Sequence, residues 1–265
     1  MLVPLLLQSL CGYAWLGLHT LRRGGLVRPE ALGLPDLTTS AALALALIQL
    51  AILSLLAVKK TPAPVLKSLK PSEILYFPLF LVLLSAGIAG LLIFRRVSLV
   101  ELLGLQRVRL WRVALWAFAL LALAWPGVMA LSQLVAHYLP KAVSDEQVLV
   151  GLFRSEVKQG HYAGIASIFV AAVVMAPLAE EFLFRGYFYA VGKRYFGALS
   201  SAVATAVLFA FVHVNAASFA GLFALALCLT LAYEYTGSLL VPMGMHAAFN
   251  TANLAVIFLQ AVSTP

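Results

Sequence analysis

Eight apolar runs dominate the chain, near residues 2–21, 39–58, 74–94, 111–137, 163–191, 197–214, 217–235 and 238–260. No other feature restricts the possible folds as much. Crossing a hydrocarbon core of ~30 Å takes a helix of ~20 apolar residues. Inside lipid every backbone N–H and C=O must be satisfied within the protein, so spanning segments are helices or closed barrels. The alternating pattern of a barrel strand is absent. The runs therefore predict an all-α, polytopic transmembrane bundle of about eight helices. Residues 1–265 are expected to form a single integral membrane domain. Composition agrees, with 63% hydrophobic and 11% charged residues, against about a quarter charged in soluble domains.

A net charge of +8 would suit nucleic acid. The basic residues instead occupy short loops between apolar runs, which is a topology signal, so no nucleic-acid partner is expected. Loops 95–112 and 192–196 share one side, called side A here. They carry Arg95, Arg96, Arg107, Arg109, Arg112, Lys193 and Arg194. The positive-inside rule makes side A cytoplasmic, with both termini on the opposite side B, although the 59–73 loop on side B holds four lysines. The expected location is an integral multi-pass protein of the cell membrane. Residues 2–21 lack a basic n-region and read as a retained span rather than a signal peptide. Cys11 and Cys228 form no metal or disulfide pattern. Two linkers predict short interfacial helices: 98–112, capped by Ser98 with Glu101, and 144–160, capped by Ser144 with Gln147.

The stretch "MAPLAEEFLFRGYFYA" (175–190) places Glu180, Glu181 and Arg185 in apolar and aromatic surroundings. With Lys193 and Arg194 marking the side A interface, Arg185 lies ~13 Å deeper and Glu180 ~20 Å deep. Half the hydrocarbon core is ~15 Å, so these groups sit near or past the midplane. Each costs ~3 kcal/mol to insert, and such residues are functional by default. Glu181 and Arg185 are i and i+4, one turn apart on one face, and can form an ion pair. Glu180 points ~100° away and has no partner on its own helix. Pro177, three residues earlier, is expected to loosen the backbone there.

Two further polar pairs lie at similar depth. "VLFAFVHVNAAS" (207–218) puts His213 on the face of Phe209, ~24 Å from side A. "VPMGMHAAFNTAN" (241–253) puts His246 and Asn250 on one face, ~12 and ~18 Å in. Exposure of all these groups to lipid would be prohibitive, so one shared, partly hydrated cavity is expected.

These groups allow several mechanisms. G-x-S-x-G and H-E-x-x-H are absent, so serine and zincin mechanisms lack their signatures. A carboxylate and an imidazole can activate water, the Glu taking its proton and the His orienting it or sharing the proton. A second His with an Asn can donate to the oxyanion of a tetrahedral intermediate. The same atoms could hold a metal, since two His and a carboxylate form a plausible site.

"EEFLFR", "FAFVH" and "HAAFN" give E-E-x-x-x-R, F-x-x-x-H and H-x-x-x-N in order. This set resembles the CAAX-prenyl-protease-type and bacteriocin-processing membrane family, the glutamate intramembrane proteases. The resemblance covers about 163–253; the earlier spans match only in hydropathy. It implies an eight-helix core whose cavity admits a C-terminal peptide or a lipidated-protein substrate from the membrane. It assigns Glu180 as general base, with His213 helping to activate water. His246 and Asn250 become the oxyanion pair, and Glu181 and Arg185 support the site. It implies no cofactor, with a metal-dependent hydrolase kept as an alternative. The other alternative is a non-catalytic membrane scaffold or bacteriocin self-immunity protein.

Overall fold

The computed structural model describes residues 2–60, 75–138 and 148–263. Each predicted apolar run is helical there, and no strand occurs among the described residues. The helices are α1 (Leu2–Arg22), α2 (Leu34–Lys60), α3 (Tyr76–Phe94), α4 (Leu99–Leu102), α5 (Leu110–Tyr138) and α6 (Val148–Gln159), followed by α7 (Tyr162–Phe196), α8 (Ala198–Val212), α9 (Ala216–Thr236) and α10 (Leu240–Ser263). Helices α2, α3, α5, α7, α9 and α10 are long and apolar enough to cross a membrane. The chain is an integral multi-pass membrane protein.

Two expected spans differ from these six. Helix α8 has 15 residues, a length of ~22 Å, short of the ~30 Å core. It stops where His213 caps its end and Val214 turns left-handed at φ 54°. Helix α1 carries Gln8, Ser9 and His19 and is not among the six.

The expected interfacial helix at 98–112 shrinks to the single turn α4. Ser98 caps it, its hydroxyl accepting from Glu101 N at 3.4 Å. Helix α6 covers most of the second linker, but Ser144 and Gln147 lie outside the described residues, as does most of the 59–73 loop.

Packing is arranged around α7. Its Phe182–Phe184 and Tyr187–Val191 are buried with Leu47 of α2, Leu81 and Ile88 of α3, and Phe209 of α8. A second apolar cluster joins α1, α5, α9 and α10 through Leu16, Leu120, Leu225, Leu229 and Met245. A third fastens α6 to α7 and α10 through Leu152, Phe153, Ile168 and Leu254. Many large apolar side chains instead point outward, such as Leu53, Leu83, Phe94 and Phe118. That inverted surface suits a lipid solvent.

Helix α7 is not a regular α-helix. Residues Val170–Met175 and Phe182–Tyr189 are π-helical, flanking an α turn that carries Glu180 and Glu181. Pro177 sits at the start of that turn and has no N–H to donate. Isolated π segments of this kind re-aim side chains and free carbonyls for outside partners. One such partner is found in the first π segment, where the Asn250 amide donates to Ala172 O at 2.7 Å. On the α turn, the Ser85 hydroxyl lies 3.3 Å from Ala179 O.

Side A is stapled by its polar groups. Glu234 of α9 accepts from Tyr189 at 2.7 Å and from Lys193 at 2.6 Å. Lys193 also donates to Val27 O at 2.9 Å, and Arg194 to Glu30 O. Arg95 pairs with the buried Asp36, which accepts Gly33 N at 2.6 Å. Leu239 N donates to Leu103 O at 2.9 Å and ties α10 to α4.

Candidate active site

The polar residues of α7, α8 and α10 converge. Glu181 is fully buried, and its Oε1 accepts from Arg185 and from His246 Nδ1, both at 2.8 Å. The first bond is the i, i+4 ion pair expected from spacing. The second crosses from α10 and joins residues 65 positions apart. Arg185, 1% exposed, also donates to Ala226 O of α9 at 3.2 Å.

Glu180 is placed differently. It is buried, it accepts no hydrogen bond among the described residues, and its Oε2 is without a partner. His246 Nε2 lies 4.0 Å from that Oε2. That separation is too long for a hydrogen bond. One water molecule at ~2.8 Å from each atom would close the triangle.

His246 therefore stands between the two carboxylates, with one nitrogen committed to Glu181 and the other facing Glu180. A ring with Nδ1–H held by a carboxylate has a fixed tautomer and orientation. His213 is half-buried at the end of α8, and its Nδ1 donates to Phe209 O at 2.7 Å. Among the described residues it makes no direct bond to Glu180, so the imidazole nearest Glu180 is His246. Asn250 is one turn beyond His246 and spends one amide hydrogen on Ala172 O. Asn215 caps α9, accepting from Ser218 N at 2.9 Å.

Phe209 organises the rest. Its ring lies 4.6 Å from the Arg185 guanidinium carbon, 4.7 Å from the His213 ring and 5.9 Å from the His246 ring. Phe184 packs edge-on against it at 5.1 Å. The sequence put Phe209 on the face of His213 but held no sign that it also covers Arg185 and His246. Nor did it single out Ser85, because α3 lies 94 residues from Ala179 in the chain. The carbonyl of Ala172 was equally hidden, because its freedom comes from the π segment. Among the described residues no group of three or more His, Cys, Asp or Glu has the arrangement of a metal site.

The order and spacing of these groups match a known family. Residues 162–252 match the family model described as "Rce1-like: Type II CAAX prenyl endopeptidase Rce1-like". The resemblance read from the three motifs is borne out. This Rce1-like stretch begins at the first residue of α7 and ends within α10, and contains Glu180, Glu181, Arg185, His213, His246 and Asn250. Helices α1 to α6 lie outside it. No curated protein and no solved structure gives a match.

Proposed function

We propose that this chain is an intramembrane endopeptidase. It hydrolyses a peptide bond near the end of a membrane-associated or lipidated protein, without a covalent intermediate. The observation that carries this reading is the contrast between the adjacent glutamates. Glu181 is engaged through Oε1 by Arg185 and His246, whereas the Glu180 side chain accepts no hydrogen bond among the described residues and faces an imidazole nitrogen; the Oε2 atoms of both are without a partner. The Rce1-like match over the same residues supports the reaction class.

The chemistry rests on these positions. Glu180 takes a proton from a water that sits between it and His246. The water oxygen bonds to the scissile carbonyl carbon, and the carbonyl π pair moves onto oxygen. Asn250 has a second amide hydrogen to offer that oxyanion. His246 Nε2, its charge supported by Glu181 through Nδ1, offers another. His213 leaves Nε2 available to steady the water. When the tetrahedral adduct collapses, the C–N bond breaks and Glu180 returns its proton to the departing amine. The substrate enters from the bilayer, side A faces the cytoplasm, and the host is the cell membrane.

A purely structural ion network would leave no reason for a buried, unpaired Glu180. A metal-dependent mechanism gains no support either, because a fixed guanidinium beside Glu181 repels a cation. The deciding experiment compares wild type, Glu180→Gln and Glu181→Gln in liposomes carrying a lipidated peptide. Folded Glu180→Gln protein should lose cleavage; cleavage at the wild-type rate would overturn the reading.

A further inference from the structure

A cavity of about 250 Å³ lies at the side A end, away from Glu180. It opens between the ends of α1 and α9, the loop after α1, and the first turns of α5. Along α9, Glu234 is eight residues from Ala226, the partner of Arg185, or ~12 Å. The volume is close to the lower end of ordinary small-ligand sites, ~300–1,000 Å³.

The walls are chemically specific. Glu234 is 4% exposed and spends Oε1 on Tyr189 and Lys193, while Oε2 is unpartnered and buried. Thr20, 7% exposed, likewise has an unpartnered hydroxyl. Both residues line the cavity, as do Arg23, His19, Trp116 and Tyr235. Tyr235 packs edge-on to Trp116 at 5.5 Å and tilted against His19 at 6.0 Å. Gly25 keeps the carboxylate clear. Its φ of 68° suits glycine, and a Cβ there would collide with Glu234 Oε2.

Two buried oxygens without partners call for a donor. Aromatic faces beside a carboxylate favour a cation. The guanidinium of Arg23 and the ammonium of Lys193 add positive charge that favours an anion close by. One group satisfies all three demands: an ammonium joined by a short link to a phosphate. A primary ammonium fits better than a quaternary one, because only the former has N–H donors for Glu234 Oε2 and Thr20. The cavity also sits at the basic end of the bundle.

We propose that this cavity binds the phosphoethanolamine headgroup of an aminophospholipid. The ammonium donates to Glu234 Oε2 and Thr20 Oγ1 over the Trp116 and Tyr235 rings. The phosphate lies toward Arg23. Lys193 stays on Oε1, so the site keeps its internal ion pair when filled.

The purified full chain in detergent tests this by native mass spectrometry. Phosphatidylethanolamine and phosphatidylcholine of identical acyl chains are titrated in parallel. The extra hydrogen bonds of the primary ammonium predict a preference of about tenfold for the ethanolamine lipid. Thr20→Val, which keeps the side-chain shape, should lower that preference about fivefold. Glu234→Gln should abolish it; if that variant fails to fold, Thr20→Val carries the test of the preference, while Arg23→Gln should weaken binding of both lipids alike. Equal binding of the two lipids would overturn the proposal and leave a merely hydrated cavity, as would a preference that survives Thr20→Val. Soluble phosphoethanolamine separates the two sources of the headgroup. Binding as tight as the lipid's would overturn the lipid as ligand, and weak or no binding supports it.

Discussion

His246 Nδ1 lies 2.8 Å from Glu181 Oε1, which holds its Nε2 4.0 Å from Glu180 Oε2. One imidazole thus reads both glutamates, each through a different nitrogen. The pair with Glu181 fixes the ring, and the gap to Glu180 is the size of one bridging water.

The two glutamates should respond oppositely to substitution. Glu180→Gln should cut cleavage by ~10³-fold, the range of a lost general base, with little change in stability. Glu181→Ala strands the buried Arg185 and should destabilise by ~3 kcal/mol. Cleavage of a lipidated peptide and thermal unfolding in detergent, measured on both variants, check the contrast.

Asn250→Ala should lower kcat by about 10²-fold through loss of an oxyanion donor, with KM less affected. It also frees Ala172 O, which should cost about 1 kcal/mol. A variant that loses stability but keeps kcat would show Asn250 to be only a clamp on the π segment.

Phe209→Leu removes the ring that faces Arg185, His213 and His246. Loss of the cation–π and edge contacts should destabilise by roughly 2 kcal/mol. Denaturant or thermal titration of the purified variant measures it. A parallel drop in kcat is expected, because both imidazoles lose a wall.

Gly104→Ala should fail to accumulate as folded protein. The residue has φ 61°, and a Cβ there would strike the carbonyl oxygen of Gly237. That backbone cannot retreat, because the next residues join α4 to α10 through Leu239 N and Leu103 O. Size-exclusion profiles of the detergent-extracted variant give the readout.

Much of the site was legible in the chain. Spacing alone separated Glu181, which Arg185 could neutralise, from Glu180, which had no partner on its own helix. Depth counting brought α7, α8 and α10 polar groups to neighbouring levels. The loosened backbone expected at Pro177 is present as π segments on both sides of the glutamate turn. Spacing could not pair residues across helices. The motif resemblance gives His213 a part in activating water at Glu180; the structure adds His246 Nε2 at 4.0 Å from Glu180 Oε2 and turns His213 Nδ1 onto Phe209 O. Length alone also overstated α8, because hydropathy does not register that Val214 turns left-handed and ends the run.

By itself the sequence determined the consequences of local periodicity and of the solvent. Lipid forces helices, a 3.6-residue turn sets which side chains share a face, and burial in hydrocarbon demands partners for charge. Only the tertiary structure decided which partner each charge received. That depends on how α10 packs beside α7 and on where the π segments rotate its side chains. A hydrogen bond across 65 residues, such as that of His246 with Glu181, depends on both. Helical periodicity sets positions within one helix, and carries no information about the rotation of one helix against another.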